Sequence, residues 1–119
     1  MRTGKRILVV DDDESIREFV EMALTDDGYE VATAADGAGA LAVLEGFDAS
    51  LILLDMRMAG MDGWSFAEAY KRIPGRAPIL VLTAARDAAV SAAEIEADAF
   101  LAKPFELRQL LGLVARLVR

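Results

Sequence analysis

The sequence contains no cysteine and no histidine. Without cysteine there are no disulfides and no thiolate metal ligands, and without histidine there are no imidazole zinc sites and no histidine-based triads. Any chemistry must run on carboxylates, hydroxyls, ammonium and guanidinium groups. Basic residues are in deficit: 13 Lys and Arg stand against 20 Asp and Glu, giving a net charge of −7. That balance disfavours nucleic acid as a partner and suits metal cations or basic protein surfaces. No apolar run approaches the ~20 residues that span a bilayer, so no membrane association is expected. The basic opening Met1–Arg6 leads directly into Ile7–Val10, too short for the apolar part of a signal peptide, and a cytoplasmic location is expected.

What is present is a strongly apolar chain of 119 residues, 55% hydrophobic, which excludes a disordered segment. It shows no repeat, linker or low-complexity tail, so one domain over residues 1–119 is expected, with no effector domain in this chain. Ile7–Val10, Leu51–Leu54, Ile79–Leu82 and Phe100–Ala102 are apolar runs expected to form buried strands, while Tyr29–Thr33 alternates and suits an edge strand. Between them lie helical patterns. Ile16, Phe19, Val20, Ala23 and Leu24 share one face of the first, which Gly28 closes. In the second, over Gly37–Leu44, Ala38, Leu41 and Ala42 fall together. Phe66, Tyr70 and Ile73 mark a third before Pro74, residues 87–96 a short fourth, and Leu107, Leu110, Leu111, Val114 and Val118 a fifth. Strict alternation of strand and helix implies an α/β fold, a parallel sheet covered by helices on both faces through right-handed crossovers.

In such a sheet the strand C-termini share one edge, where ligands bind. The first strand ends in Asp11-Asp12-Asp13, the third in Asp55, the fourth in Thr83 and the fifth in Lys103 before Pro104. If the first and third strands are neighbours, Asp55 lies beside Asp11 and Asp12. Clustered carboxylates repel, and a hard divalent ion with oxygen ligands, Mg²⁺ or similar, relieves that. Asp13 suits an N-cap of the first helix.

VVDDD at 9–13, LLDMRMAGMDG at 53–63, LTA at 82–84 and AKPF at 102–105 together resemble the receiver domain of bacterial two-component response regulators. The resemblance spans essentially the whole chain. It implies a flavodoxin-like doubly wound (βα)5 fold with strand order 2-1-3-4-5. It further implies that Asp55 accepts a phosphoryl group from a histidine kinase or histidine phosphotransfer protein, as a switch and not as an enzyme. Asp11, Asp12, Asp55 and the backbone carbonyl of Arg57 would hold Mg²⁺ or Mn²⁺. Lys103 would pair with Asp55 or its phosphate, and Thr83 would bind the phosphate by its hydroxyl. Phe100 would be the switch aromatic, held by packing alone because it lacks the hydroxyl of the more usual Tyr. Arg57 and Ala85 would tune the phosphate's lifetime, with Arg57 contacting the phosphoryl group. The face formed by the fourth helix, fifth strand and fifth helix would meet an output protein or domain. A cis Lys103–Pro104 bond and a turn at Asp62-Gly63, with an unusual φ at Gly63, are also expected.

Three departures qualify the resemblance. Ala59 replaces the usual Pro, predicting a looser loop after Asp55. Glu96 replaces the Gly that ends the fourth helix, so that cap needs another solution. The stretch from Thr83 to Lys103 is a couple of residues shorter than usual, predicting a short or reoriented fourth helix. Rival readings stand beside this one. Asp11-Asp12-Asp13-Glu14-Ser15 is similar to the opening of haloacid-dehalogenase-type phosphatases, with Asp11 as nucleophile, but that leaves Asp55 unexplained. A flavin mononucleotide carrier would place phosphate against three aspartates. A phosphorylation-independent interaction module could share the fold.

Overall fold

The computed structural model describes residues 4–119; of the basic opening, residues 1–3 lie outside the described residues. Five strands and five helices alternate: β1 (Arg6–Val10), α1 (Glu14–Asp26), β2 (Glu30–Ala34), α2 (Gly37–Leu44), β3 (Leu51–Leu54), α3 (Gly63–Tyr70), β4 (Ile79–Ala84), α4 (Ala85–Glu94), β5 (Ala99–Lys103) and α5 (Leu107–Leu117). All strand pairings are parallel, in the order β2-β1-β3-β4-β5, as expected. No described helix is long and apolar enough to cross a membrane.

Period-two alternation divides the strands' side chains between two cores. Leu8, Val10, Ile52, Leu54 and Val81 pack on one face with Ala40 of α2, Phe66 and Tyr70 of α3 and Ala92 of α4. Ile7, Val9, Leu51, Leu53, Leu80 and Leu82 pack on the other with Val20 and Leu24 of α1 and Leu110 and Val114 of α5. The central strands are thus covered twice, which is why they read as unbroken apolar runs.

Several expectations about faces need correction. Phe19 is exposed on α1, where Val20 and Leu24 carry the burial. In α2 the buried positions are Gly37 and Ala40, with Leu41 and Leu44 partly covered, while Ala38 and Ala42 face solvent. Ile73 lies beyond the end of α3 and is exposed, as is Leu107 at the start of α5. Phe100–Ala102 belong to an edge strand, half open because β5 has one neighbour.

β4 passes into α4 with no residue between them, and α4 keeps 10 residues. Its C-terminus is solved by strain. Glu96 adopts φ 57°, its N–H donates to the Ala93 carbonyl and the Ala97 N–H donates to the Ala92 carbonyl, a Schellman arrangement that normally takes glycine. α1 ends in the same way with Gly28 at φ 96°.

Gly63 is required for close approach and not for an unusual φ. A Cβ there would stand 2.7 Å from Met56 Sδ and 2.8 Å from the Asp55 carbonyl oxygen. The left-handed residue in that loop is Gly60, at φ 76°. Asp62 caps α3, accepting from the Ser65 N–H at 2.9 Å. The Lys103–Pro104 bond is cis, as expected.

Candidate functional site

The acidic site is built by register. Val10 pairs with Leu54 across β1 and β3, so the residues that follow, Asp11 and Asp55, leave the sheet side by side. The Asp55 N–H still donates to the Val10 carbonyl (2.9 Å) and the Asp11 N–H to the Ala34 carbonyl (3.1 Å), fixing both at the rim. Asp11 and Asp55 are buried, at 2% and 7% exposure respectively, whereas Asp12 is exposed. One carboxylate oxygen from each of Asp11, Asp12 and Asp55 lies within 4.8 Å of the others.

A buried carboxylate is costly unless bonded or paired. Asp11 accepts from the Asp13 N–H on Oδ1 (2.9 Å) and from Lys103 Nζ on Oδ2 (2.7 Å). Asp55 accepts from the Met56 N–H on Oδ1 (2.9 Å), and its Oδ2 lies 3.5 Å from Lys103 Nζ. Lys103 therefore sits closer to Asp11 than to Asp55, one ammonium shared between two buried carboxylates. That compensation is incomplete. Burial pushes the Asp11 carboxyl above its ordinary range; the Lys103 and Asp13 contacts pull it back, while the Asp55 charge adds to the rise.

This donor set fits a hard divalent cation: all oxygen, one rim-exposed carboxylate for access, two buried ones held in place, and more negative charge than one ammonium offsets. Asp13 is occupied elsewhere as the cap of α1, accepting from the Ile16 N–H at 3.2 Å, as expected.

The remaining candidates are distributed around the rim. Thr83 is buried near the end of β4, in register with Ala102, one residue before the Ala84–Lys103 pair. Phe100, on β5, is turned outward and 48% exposed. Ala85 is the exposed first residue of α4. The Arg57 side chain points along the surface to α4, donating to Asp87 through Nε (2.8 Å) and Nη2 (3.3 Å) and lying 5.3 Å from the Trp64 ring centre.

Two contacts were not foreseen from the sequence. Arg17 of α1 donates through Nη1 to the Asp11 carbonyl at 2.7 Å, and the Ala59 N–H donates to Asp12 Oδ2 at 3.4 Å. The second contact needs the N–H that a proline at 59 would lack. The helical spacing of Arg17 from Asp13 was visible, but not which carbonyl it would reach.

Comparison with known proteins is consistent with this geometry. The family model for the response regulator receiver domain matches residues 7–115. The chain is 40% identical over 119 residues to the transcriptional regulatory protein PrrA of Mycobacterium tuberculosis, covering 98% of this chain and 51% of that protein. It is 38% identical over 117 residues to the probable transcriptional regulator ycf27 of Cyanophora paradoxa, covering 97% and 48%. The chain thus spans about half the length of these curated relatives. Among solved structures, the chemotaxis response regulator CheY4 of Vibrio cholerae superposes with a TM-score of 0.87 at 35% identity, covering 98% of this chain and 100% of that one. The response regulator TrrA of Thermotoga maritima, in complex with Mg²⁺-BeF, gives 0.85 at 33% identity, covering 96% and 99%.

Proposed function

This chain belongs to the receiver domains of two-component response regulators, and from that premise we propose that Asp55 is its phosphoacceptor and Asp11, Asp12 and the Arg57 carbonyl its other metal ligands. The observation that carries the assignment is the buried Asp55 carboxylate, set beside Asp11 and Asp12 and 3.5 Å from the Lys103 ammonium.

The transfer is a displacement at phosphorus. An Asp55 carboxylate oxygen forms the new O–P bond while the N–P bond of a phosphohistidine breaks, and the electron pair leaves with the imidazole. The product is an acyl phosphate, and no redox partner is needed. Mg²⁺, or Mn²⁺, when bound at the carboxylates would offset charge on the phosphoryl oxygens. Lys103 holds a fixed positive charge at the same place, and the cluster's burial strengthens that interaction by excluding water.

Phosphorylation adds about −1.5 to −2 charges at Asp55. Lys103 is drawn from Asp11 toward the phosphate, and the Thr83 hydroxyl supplies a further donor. Movement of Thr83 opens space beside β5, toward which Phe100 turns from its outward position, changing the face of α4, β5 and α5 that meets an output protein or domain. Arg57 and Ala85 flank this path and set how long the phosphate survives. The donor is a sensor histidine kinase or a histidine phosphotransfer protein in the cytoplasm. The role is that of a switch, its chemistry limited to its own phosphorylation and dephosphorylation.

Mapping the modified residue after acetyl phosphate treatment tests the assignment. Label on Asp55 is the expected result. Label on Asp11, with steady turnover of p-nitrophenyl phosphate, would instead establish a phosphatase of haloacid-dehalogenase type.

A further inference from the structure

Beside the rim, four side chains tie α4 to the loop that follows Asp55 and to the first turn of α3. Arg57 makes a two-nitrogen contact with Asp87, at 2.8 and 3.3 Å, and lies 5.3 Å over the Trp64 ring. Trp64 Nε1 in turn donates to Glu94 Oε1 at 2.8 Å. Asp87 and Glu94 are two turns apart on α4, so the helix is held at both ends of its length. Around a pocket of about 320 Å³ the same four residues are joined by Val90 and Ser91.

Three features make this cluster responsive to the acidic site. Arg57 lies two residues after Asp55, so its guanidinium is within a short swing of any charge added there. Asp87, its side chain mostly covered, offers the exposed Arg57 one negative charge, whereas a phosphoryl group offers about −1.5 to −2. Finally, β4 enters α4 with no connecting residue, so displacement of Thr83 passes directly into the first turn of α4, where Asp87 stands.

We propose that Arg57, Trp64, Asp87 and Glu94 form a latch that holds α4 against the β3–α3 loop and the first turn of α3 and opens when the phosphoryl group on Asp55 takes Arg57 from Asp87. The inference rests on Asp55 being the phosphoacceptor. Its energetic content is that the latch exists in one state of the switch and not the other, which is the condition for any contact to bias an equilibrium. By reciprocity, weakening the latch favours uptake of a phosphoryl mimic, and uptake of the mimic loosens the latch.

The test measures Mg²⁺-dependent affinity for beryllofluoride in the 119-residue chain, its Asp87→Asn and Arg57→Gln variants and the double variant, with Trp64, the single tryptophan, as the fluorescent probe. Asp87→Asn is expected to raise the affinity by roughly fivefold. In the Arg57→Gln background the same substitution is expected to have no effect. A gain of equal size in both backgrounds would reduce the effect to the general removal of negative charge and overturn the latch, as would no gain in either. Glu94→Ala, which removes the acceptor of the Trp64 Nε1–H and leaves Arg57 and Asp87 intact, should shrink the Trp64 response to the mimic; an unchanged response would also contradict the proposal. A wild-type chain that takes up no beryllofluoride would sink the phosphoacceptor assignment, and the latch with it.

Discussion

Asp11 is buried at the rim between the Lys103 ammonium and the Asp55 carboxylate. Its carboxyl is shifted upward, first by burial and then by Asp55. A carboxyl raised in the folded state contributes stability below its unfolded value of about 3.9 and loses it as pH rises through the folded value. The metal-free chain should therefore lose part of its stability as Asp11 ionises, and Mg²⁺ should restore stability above that pH. At a hundred times its Kd the ion should add ~2.7 kcal/mol, and the gain should fade as the solution is acidified. Thermal melts with and without Mg²⁺ across this pH range check the sign. Asp11→Asn should melt at or above the metal-free wild type and lose most of the Mg²⁺ response; a variant that melts lower yet keeps the response would contradict the origin of the shift. Gly63 is the second position where a single atom decides. A Cβ placed 2.8 Å from the Asp55 carbonyl and the Met56 Cα meets backbone that cannot yield cheaply. Gly63→Ala should cost about 1–3 kcal/mol in denaturant unfolding, with the loop carrying Asp55 displaced and Mg²⁺ binding weakened.

Helix α4 shows how an element absorbs a sequence departure. With no linker before it and Glu96 in the left-handed region after it, α4 is set tightly between β4 and β5. A left-handed non-glycine residue costs roughly 1–2 kcal/mol, partly offset by the smaller entropy loss of Glu relative to Gly. Glu96→Gly should stabilise the chain by up to about 1 kcal/mol and Glu96→Ala should not, a contrast that denaturant titration resolves and that separates backbone strain from charge. The elements also show what was legible in advance. β1, β3 and β4 announced themselves as apolar runs because they are covered on both faces. The phase of α2 did not, since GAGALAVL contains no charged residue to mark the solvent side. The triplet Phe100–Ala102 by itself gave no hint of being an edge, which only the strand order implied by the resemblance supplied, because an apolar triplet looks the same whether one face or two is covered. The strand-end residues were legible through their motifs. The partners of Arg57 and Trp64 were not, as each lies 30 residues further along the chain on α4.

At the scale of the molecule, one end of a parallel sheet gathers the carboxylates that follow β1 and β3, the hydroxyl of β4 and the ammonium of β5, with the edge strand β5 and α4 beside them. The central strands β1, β3 and β4 are packed on both faces, whereas the edge strand β5 is half open, so under the proposed switch a charge placed at the rim is answered at β5 and α4. The most direct measurement is the intact mass of the chain after exposure to acetyl phosphate, with and without Mg²⁺, beside the Asp55→Ala variant. The expected result is one added phosphoryl group on the wild type, dependent on Mg²⁺, and none on Asp55→Ala. Equal addition to Asp55→Ala, or none to a folded, Mg²⁺-saturated wild type, would contradict the placement of phosphoryl chemistry at Asp55.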